Sequence, residues 1–341
     1  MKAAVLTSYG QPFEILDVPR PVPGQGEVLV RVEACGVCGS DHFLQQGGFA
    51  STLPIIPGHE ASGVVESCGP GVDDFRAGDR VAIYYIQSCG QCKFCLRGQT
   101  NICPGLKRMG VDINGAIAEY VAVPARNLIP LPERLSFSEA AVLTDAVATP
   151  YHALRMAGVG EGDTVVVLGV GGIGSNAIQL AKLLGATVIA VSRSPSKQRL
   201  AEKMGADETI GPDGHLAERI RSLTGGLGAD AVLQCAPSPE MDEAGFACLA
   251  PGGRMVTIAA NQKPFRLRSV DFIWGEKTIV GSRGFTKRDI EECIRLYESG
   301  RLRLSHLLDH QLPLEKINQA MDNLSDPNVV RTVIRPHMTR E

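Results

Sequence analysis

The sequence predicts an α/β protein of two parts, a mainly β half followed by a doubly wound parallel sheet. Three observations predict it. Before about residue 125 the apolar residues fall in short β-branched runs bounded by glycine or proline. After Glu139 strand-like and helix-like stretches alternate. Between them stands Asp163 to Arg193, DTVVVLGVGGIGSNAIQLAKLLGATVIAVSR, which reads strand, glycine turn, helix, strand. A length of 341 residues is enough for two separate cores.

In chain order, Ala3–Leu6 and Val28–Val32 are expected strands, with Pro19, Pro21, Pro23 and Gly24 keeping the link between them extended. Ser62–Ser67, Arg80–Ile83 and Ile117–Val123 continue the series. From Glu139, EAAVLTDAVATPYHALRMAG reads as helix, and Pro150 starts or kinks a second segment. Later strands are expected at Ala231–Cys235, Gly253–Ile258 and Thr278–Val280. Helices are expected near Pro195–Met204, Gly214–Leu223 and Pro239–Leu249, giving about six parallel strands. The tail from Lys287 carries another helix, then the segment Asn328–Arg335.

The glycine turn has a specific chemistry. Val165–Leu168 is the first strand, and Gly169, Gly171, Gly172 and Gly174 follow at G-x-G-G-x-G spacing. Ile173, Ala177, Leu180, Ala181 and Leu184 share one helical face. Gly169 permits a tight turn, Gly171 lets the backbone approach a pyrophosphate, and Gly174 lets the helix pack closely on its strand. Free N–H groups at the helix start, Gly172 and Ile173 among them, favour phosphates. The expected ligand is a dinucleotide bound by a Rossmann unit.

Composition narrows the function classes. The net charge of −3 offers no basic surplus for nucleic acid or an anionic membrane. MKAAVLTSYG has no apolar signal region, and no run approaches membrane-spanning length. Ten cysteines without a secretion signal point to a reducing, cytoplasmic setting and to metal sites rather than disulfides.

The strongest metal signal is Cys89, Cys92, Cys95 and Cys103, at C-x2-C-x2-C-x7-C spacing. Gly90 and Gly98 let a loop fold four thiolates around one tetrahedral ion, leaving no position for water, as in a structural zinc site. An iron–sulfur cluster also takes four thiolates, and Pro104 follows the last cysteine, although the bacterial spacing differs. Cys35, Cys68, Cys235, Cys248 and Cys293 are scattered and read as small apolar residues.

A dispersed set completes the pattern: Cys38-Gly39-Ser40-Asp41, then Gly58-His59-Glu60, then the four-cysteine lobe, then the glycine turn. In that order and at those separations they resemble the zinc-dependent medium-chain alcohol dehydrogenase family, over essentially the whole chain to Arg331. The resemblance implies a GroES-like β-rich catalytic domain over residues 1–146, a Rossmann domain over 147–284 and a return segment over 285–341. It implies two zinc ions per subunit and NAD(P).

Cys38 and His59 match the first two catalytic zinc ligands. The third is usually a cysteine but an aspartate in some bacterial members, and LTDAVATPYHAL offers Asp145. Glu60 matches a carboxylate near the zinc, and Asp41 a residue that orients His59. An open zinc position lowers the pKa of an alcohol or polarises a carbonyl. Ser40 matches the hydroxyl that takes the alcohol proton, Thr149 a residue against the nicotinamide, Arg331 a pyrophosphate contact, and Tyr85 the substrate pocket. The partners implied are a small alcohol or carbonyl substrate and, for the assembly, a homotetramer or homodimer.

Two departures stand out. The relay histidine expected after C-x-S/T-D-x is replaced by Phe43, leaving His42 or water to finish the relay. At the end of the second Rossmann strand, where an acid would bind the ribose 2′-hydroxyl of NAD, stand Ser192 and Arg193 with Lys197 nearby. That pattern predicts a preference for NADP(H), with NAD(H) still able to bind. Alternatives to an alcohol dehydrogenase or carbonyl reductase are a polyol or sugar dehydrogenase, a zinc-free quinone or enoyl reductase, and a non-catalytic zinc- and nucleotide-binding protein.

Overall fold

A computed structural model of the chain describes residues 1–260 and 262–338. The last three residues of the expected return segment lie outside the described residues. The chain forms two compact units. One comprises Met1–Asp145, Thr286–Ile294 and Arg303–Glu341, and the other Ala146–Phe285 and Arg295–Leu302.

In the first unit, β1 (Lys2–Val5) pairs antiparallel with β2 (Glu14–Asp17). The expected Val28–Val32 strand is longer: β3 (Glu27–Val37) runs on through small, buried residues and stops where α1 (Gly39–Gln45) begins. β4 (Glu60–Cys68) and β5 (Arg80–Ile83) follow, then a small lobe of β6 (Ile86–Gln87), α2 (Lys93–Leu96) and β7 (Lys107–Arg108). The expected strand at Ile117 pairs regularly only from Tyr120. Ala118 makes a single bridge to Ala3, and β8 (Tyr120–Pro124) lies on β3. β9 (Leu128–Pro130) joins β5.

The helix expected at Glu139 begins at α3 (Phe137–Val142), where Ser136 and Glu139 form a reciprocal capping box. It then loosens into a π-helical turn, Leu143–Val147, before α4 (Ala148–Ala157) of the second unit. Pro150 lies in the first turn of α4, just after the π-helical turn.

The second unit continues with β10 (Thr164–Leu168), α5 (Gly172–Leu183), β11 (Thr187–Val191), α6 (Pro195–Lys203), β12 (Glu208–Ile210), α7 (Leu216–Leu223), β13 (Ala229–Gln234), α8 (Pro239–Ala247), β14 (Leu249–Thr257), α9 (Ser269–Ile273) and β15 (Thr278–Gly281). Its six strands are all parallel, in the order β12-β11-β10-β13-β14-β15. The chain winds outward from β10 one way, then from β13 the other. The order therefore reverses beside β10, the position at which doubly wound sheets bind ligands. Val166, Leu168, Ile189, Val232 and Met255 anchor the core on this sheet.

The tail adds α10 (Lys287–Glu298), β16 (His310–Pro313), α11 (Ile317–Asp322) and β17 (Thr332–Arg335). β17 lies antiparallel on β3 and carries β16 beside it, completing the sheet β16-β17-β3-β4-β5-β9. The sequence pattern did not announce β2, β16 or α11. Each is short, and among these only α11 buries an apolar stripe, Ile317, Ala320 and Met321.

Candidate active site and metal centres

The first unit gathers four donor side chains through strand register. β3 ends and β4 begins at the same point of their ladder, where Gly36 faces Glu60 and Cys35 faces Ala61. Cys38, just past β3, and His59, just before β4, are therefore neighbours. Cys38 is also the N-cap of α1. Asp145 arrives from the π-helical turn behind α3, which packs on β3 and β4. Arg331 precedes β17, whose Thr332 faces Val37 of β3. Cys38, His59, Glu60 and Asp145 can each offer one donor atom within 4.8 Å of the others, and all four are buried.

The internal geometry is tight. Cys38 Sγ lies 3.5 Å from Asp145 Oδ2, and His59 Nε2 lies 3.8 Å from the same oxygen. Asp41 braces the set from below: it accepts from the Cys38 N–H at 2.9 Å and the Gly58 N–H at 3.2 Å, with His59 Nδ1 3.5 Å away. Gly58 must be glycine, since its φ is +98° and a Cβ would sit 2.5 Å from Ile117 Cγ1. Arg331 Nη2 donates to Glu60 Oε1 and, at 3.3 Å, to Asp145 Oδ2.

Charge explains the titration of these groups. Burial pushes the Cys38 thiol up, but Arg331 and His59 outweigh it and hold the thiol below its ordinary value. Burial opposes a charged His59, yet Asp41 and Asp145 raise its pKa well above the usual range. Glu60 is raised well above the carboxylate range by burial, against the pull of Arg331.

The set fits a metal ion. Sulfur, imidazole and carboxylate donors bind zinc at about 2.0–2.3 Å, which places tetrahedral donors roughly 3.3–3.8 Å apart, the spacing found around Asp145. A bound cation favours the Cys38 thiolate, the Asp145 carboxylate and a neutral His59, and would displace the protons that burial holds on Glu60 and that Asp41 and Asp145 hold on His59. Glu60 Oε2 is also buried with no hydrogen-bond partner. A divalent cation would satisfy that oxygen.

In the second unit, β10 runs into Gly169, whose φ is +91° and whose Cβ would come within 2.8 Å of Ala236 Cβ. Gly171 is the N-cap of α5, and a Cβ there would meet no atom of the chain. A Cβ on Gly174 would overlap the Gly169 carbonyl oxygen, so helix and turn are in direct contact. The first N–H groups of α5, from Gly172 to Gly174, open onto this turn.

Comparison with known proteins completes this geometry. A family model described as the alcohol dehydrogenase GroES-like domain matches residues 24–133, and one described as zinc-binding dehydrogenase matches residues 172–299. An alcohol dehydrogenase of Geobacillus stearothermophilus is 35% identical over 328 residues, 95% of this chain and 96% of that protein. This chain belongs to the zinc-dependent medium-chain alcohol dehydrogenase family. A sorbitol dehydrogenase of Halalkalibacterium halodurans is 31% identical, covering 98% of this chain and 99% of that one. A solved NAD-dependent alcohol dehydrogenase superposes with a TM-score of 0.92 at 35% identity, covering 98% and 99% of the two chains. A chain from Sinorhizobium meliloti 1021, assigned as a zinc-binding dehydrogenase and solved with NADP, gives 0.91 at 32% identity over 98% and 99%.

Within this family frame, the four-cysteine lobe is a second donor cluster. Its sulfur atoms stand 3.5 Å (Cys92 to Cys95, Cys103 to Cys89), 3.8 Å (Cys92 to Cys103) and 3.9 Å (Cys89 to Cys95) apart. Zinc–sulfur bonds of about 2.3 Å make a tetrahedron with edges of roughly 3.8 Å. Backbone N–H groups of Gln91 and Cys92 bring the Cys89 thiol down to about 6, favouring the thiolate. Gly90 and Gly98, at φ +76° and +75°, turn the loop around the cluster.

The remaining residues singled out in the sequence are placed as follows. Ser40 Oγ is 3.8 Å from Cys38 Sγ. His42, four residues past Cys38 on α1, is exposed, and Phe43 packs edge-on against Phe49. The Tyr85 ring lies 5.3 Å from that of His59. Thr149 is buried in the first turn of α4. Ser192 follows β11 and accepts from the Ser194 N–H, Arg193 is exposed, and Lys197 lies on α6. Arg331 was expected at a pyrophosphate, whereas its Nη2 is engaged by Glu60 and Asp145. No local signal could have paired residues 271 positions apart. Among the described residues no helix is long and apolar enough to cross a membrane.

Proposed function

We propose that this chain is a zinc-dependent dehydrogenase that transfers hydride between an alcohol and its aldehyde or ketone, with two zinc ions per subunit and a preference for NADP(H). The buried set Cys38, His59, Glu60 and Asp145, with donor atoms at zinc-ligand spacing and an unpartnered Glu60 oxygen, carries the reading. Zinc held by Cys38, His59 and Asp145 supplies Lewis acidity to the oxygen of an alcohol or carbonyl. The side chains of this chain do the rest. Asp41 fixes Cys38 and the turn before His59 through backbone N–H groups. Ser40, beside the Cys38 sulfur, takes the substrate proton. Glu60 keeps one oxygen on Arg331 and has the other to offer a cation. Arg331 Nη2 is committed, so a pyrophosphate contact falls to its other nitrogens.

Exposed Arg193 next to Ser192 supports the NADP(H) preference. No acid stands there to repel a 2′-phosphate. A cytoplasmic setting is supported by ten free cysteines. A homodimer or homotetramer is supported by the exposed Ile273 and Trp274 close in sequence to the edge strand β15.

Elemental analysis and turnover test the proposal together. Two zinc ions per chain are expected, with substrate-dependent NAD(P)H turnover abolished by Cys38→Ser. Asp145→Ala removes activity and one zinc while the fold persists, whereas Cys95→Ser lowers the melting temperature. A single zinc ion, an iron–sulfur absorption band, or full turnover in Cys38→Ser refutes it.

A further inference from the structure

Asp145 reaches the Cys38 set from Leu143–Val147, the π-helical turn that follows α3. α3 itself is anchored to the sheet at three points. The Ser62 hydroxyl of β4 donates to the Phe137 carbonyl at 2.6 Å. The Ser138 hydroxyl donates to Gln311 Oε1 of β16 at 2.9 Å. The guanidinium of Arg80, on β5, lies 4.5 Å from the centre of the Phe137 ring. This is the sheet whose β3 and β4 present Cys38 and His59, so α3 is fixed relative to both. Between the end of α3 and Asp145 stand only Leu143 and Thr144.

Thr144 is fully buried, and its hydroxyl donates to the Ala141 carbonyl one turn back, at 2.6 Å. A hydroxyl bonded onto the preceding turn bends a helix. A turn that widens to i→i+5 bonds sends the side chains beyond it in directions a regular α-helix would not give. Leu143, Ala146 and Val147 are also fully buried, so solvent does not account for the irregular turn. Thr144 and Asp145 share a peptide unit. A rotation that broke the hydroxyl bond would therefore also swing the Asp145 carboxylate, which lies 3.5 Å from Cys38 Sγ and 3.8 Å from His59 Nε2. Valine would fill about the same volume with no polar group to satisfy, so the buried hydroxyl contributes geometry rather than packing.

We infer that Thr144 is a positioning residue for Asp145: its bond to Ala141 holds the π-helical turn that aims the carboxylate at the metal. The inference rests on the zinc reading above and deepens it at that same site. Zinc–oxygen bonds span only about 2.0–2.2 Å, so a carboxylate that drifts as its turn relaxes no longer bonds the ion. Residues that orient metal ligands without touching the metal typically contribute about 10- to 100-fold in affinity.

The test uses the full zinc-loaded chain as wild type, Thr144→Val, which removes the hydroxyl at near-constant shape, and Thr144→Ser, which keeps it. Each is titrated with a chromogenic chelator, and a parallel sample is exchanged with Co2+, whose visible bands report ligand geometry. Thr144→Val is expected to release its more labile zinc at roughly tenfold lower chelator concentration and to show altered Co2+ bands. Its second zinc and its urea midpoint should match wild type, and Thr144→Ser should restore both affinity and spectrum. Wild-type behaviour in Thr144→Val, or the same loss in Thr144→Ser, overturns the positioning role and leaves the zinc reading standing. Loss of both zinc ions together with a lowered urea midpoint in Thr144→Val assigns the residue to general stability and overturns the role as well. A labile zinc that Cys38→Ser leaves in place overturns the zinc reading itself.

Discussion

Gly36 lies directly opposite Glu60 in the β3–β4 ladder, and a Cβ at position 36 would overlap Glu60 Oε2. The buried carboxylate thus occupies the space that any other residue would fill with its own side chain. Gly36→Ala is expected to cost about 1–3 kcal/mol of stability through overpacking and to lower zinc retention at the Cys38 set. Gly214→Ala, where a Cβ meets no atom, is the control and should stay within roughly 0.5 kcal/mol. Urea unfolding and metal analysis of both variants check this. Equal stability of the two would show that Glu60 relocates freely.

The proton route is expected to end at solvent rather than at His42. His42 is exposed, and the position of the usual relay histidine is filled by Phe43, packed on Phe49. General acid–base groups contribute about 10²–10⁴ in rate. His42→Ala should therefore lower kcat by less than about threefold and leave its pH profile unchanged, whereas a loss near a hundredfold would assign the relay to His42.

Cofactor choice should depend on Arg193. A charge-assisted hydrogen bond to the 2′-phosphate is worth about 1.5–3 kcal/mol, so Arg193→Ala should shift the NADP-to-NAD ratio of kcat/KM roughly 10- to 100-fold toward NAD. An equal loss for both cofactors would place Arg193 outside the phosphate contact.

Acid should weaken the fold partly through His306. Burial, opposed by Asp309, brings its pKa down to about 4, while an unfolded histidine titrates near 6.5. The unfolded chain therefore takes up a proton that the folded chain refuses. Stability falls as the pH drops through 6.5, and the loss, about 3 kcal/mol, is complete only below pH 4. His306→Gln should flatten that part of a stability-versus-pH curve measured by urea unfolding, and an unchanged slope would count against it.

Much of this molecule is determined by its sequence alone. The β10–α5–β11 unit is legible because each step is local. A β-branched run makes the strand, glycines make the turn, and a periodic apolar face makes the helix. The four-cysteine lobe is legible for the same reason, since all its donors fall between Cys89 and Cys103. Cys38, His59 and Asp145 carried a signal only as part of a resemblance, because no short-range rule connects them. The tertiary structure decided what surrounds them. Strand register put Gly36 against Glu60, and the return of β17 to β3 brought Arg331 to the carboxylates. These contacts join residues far apart in the chain. They are selected by packing and buried charge, and those forces act only once the sheet has closed.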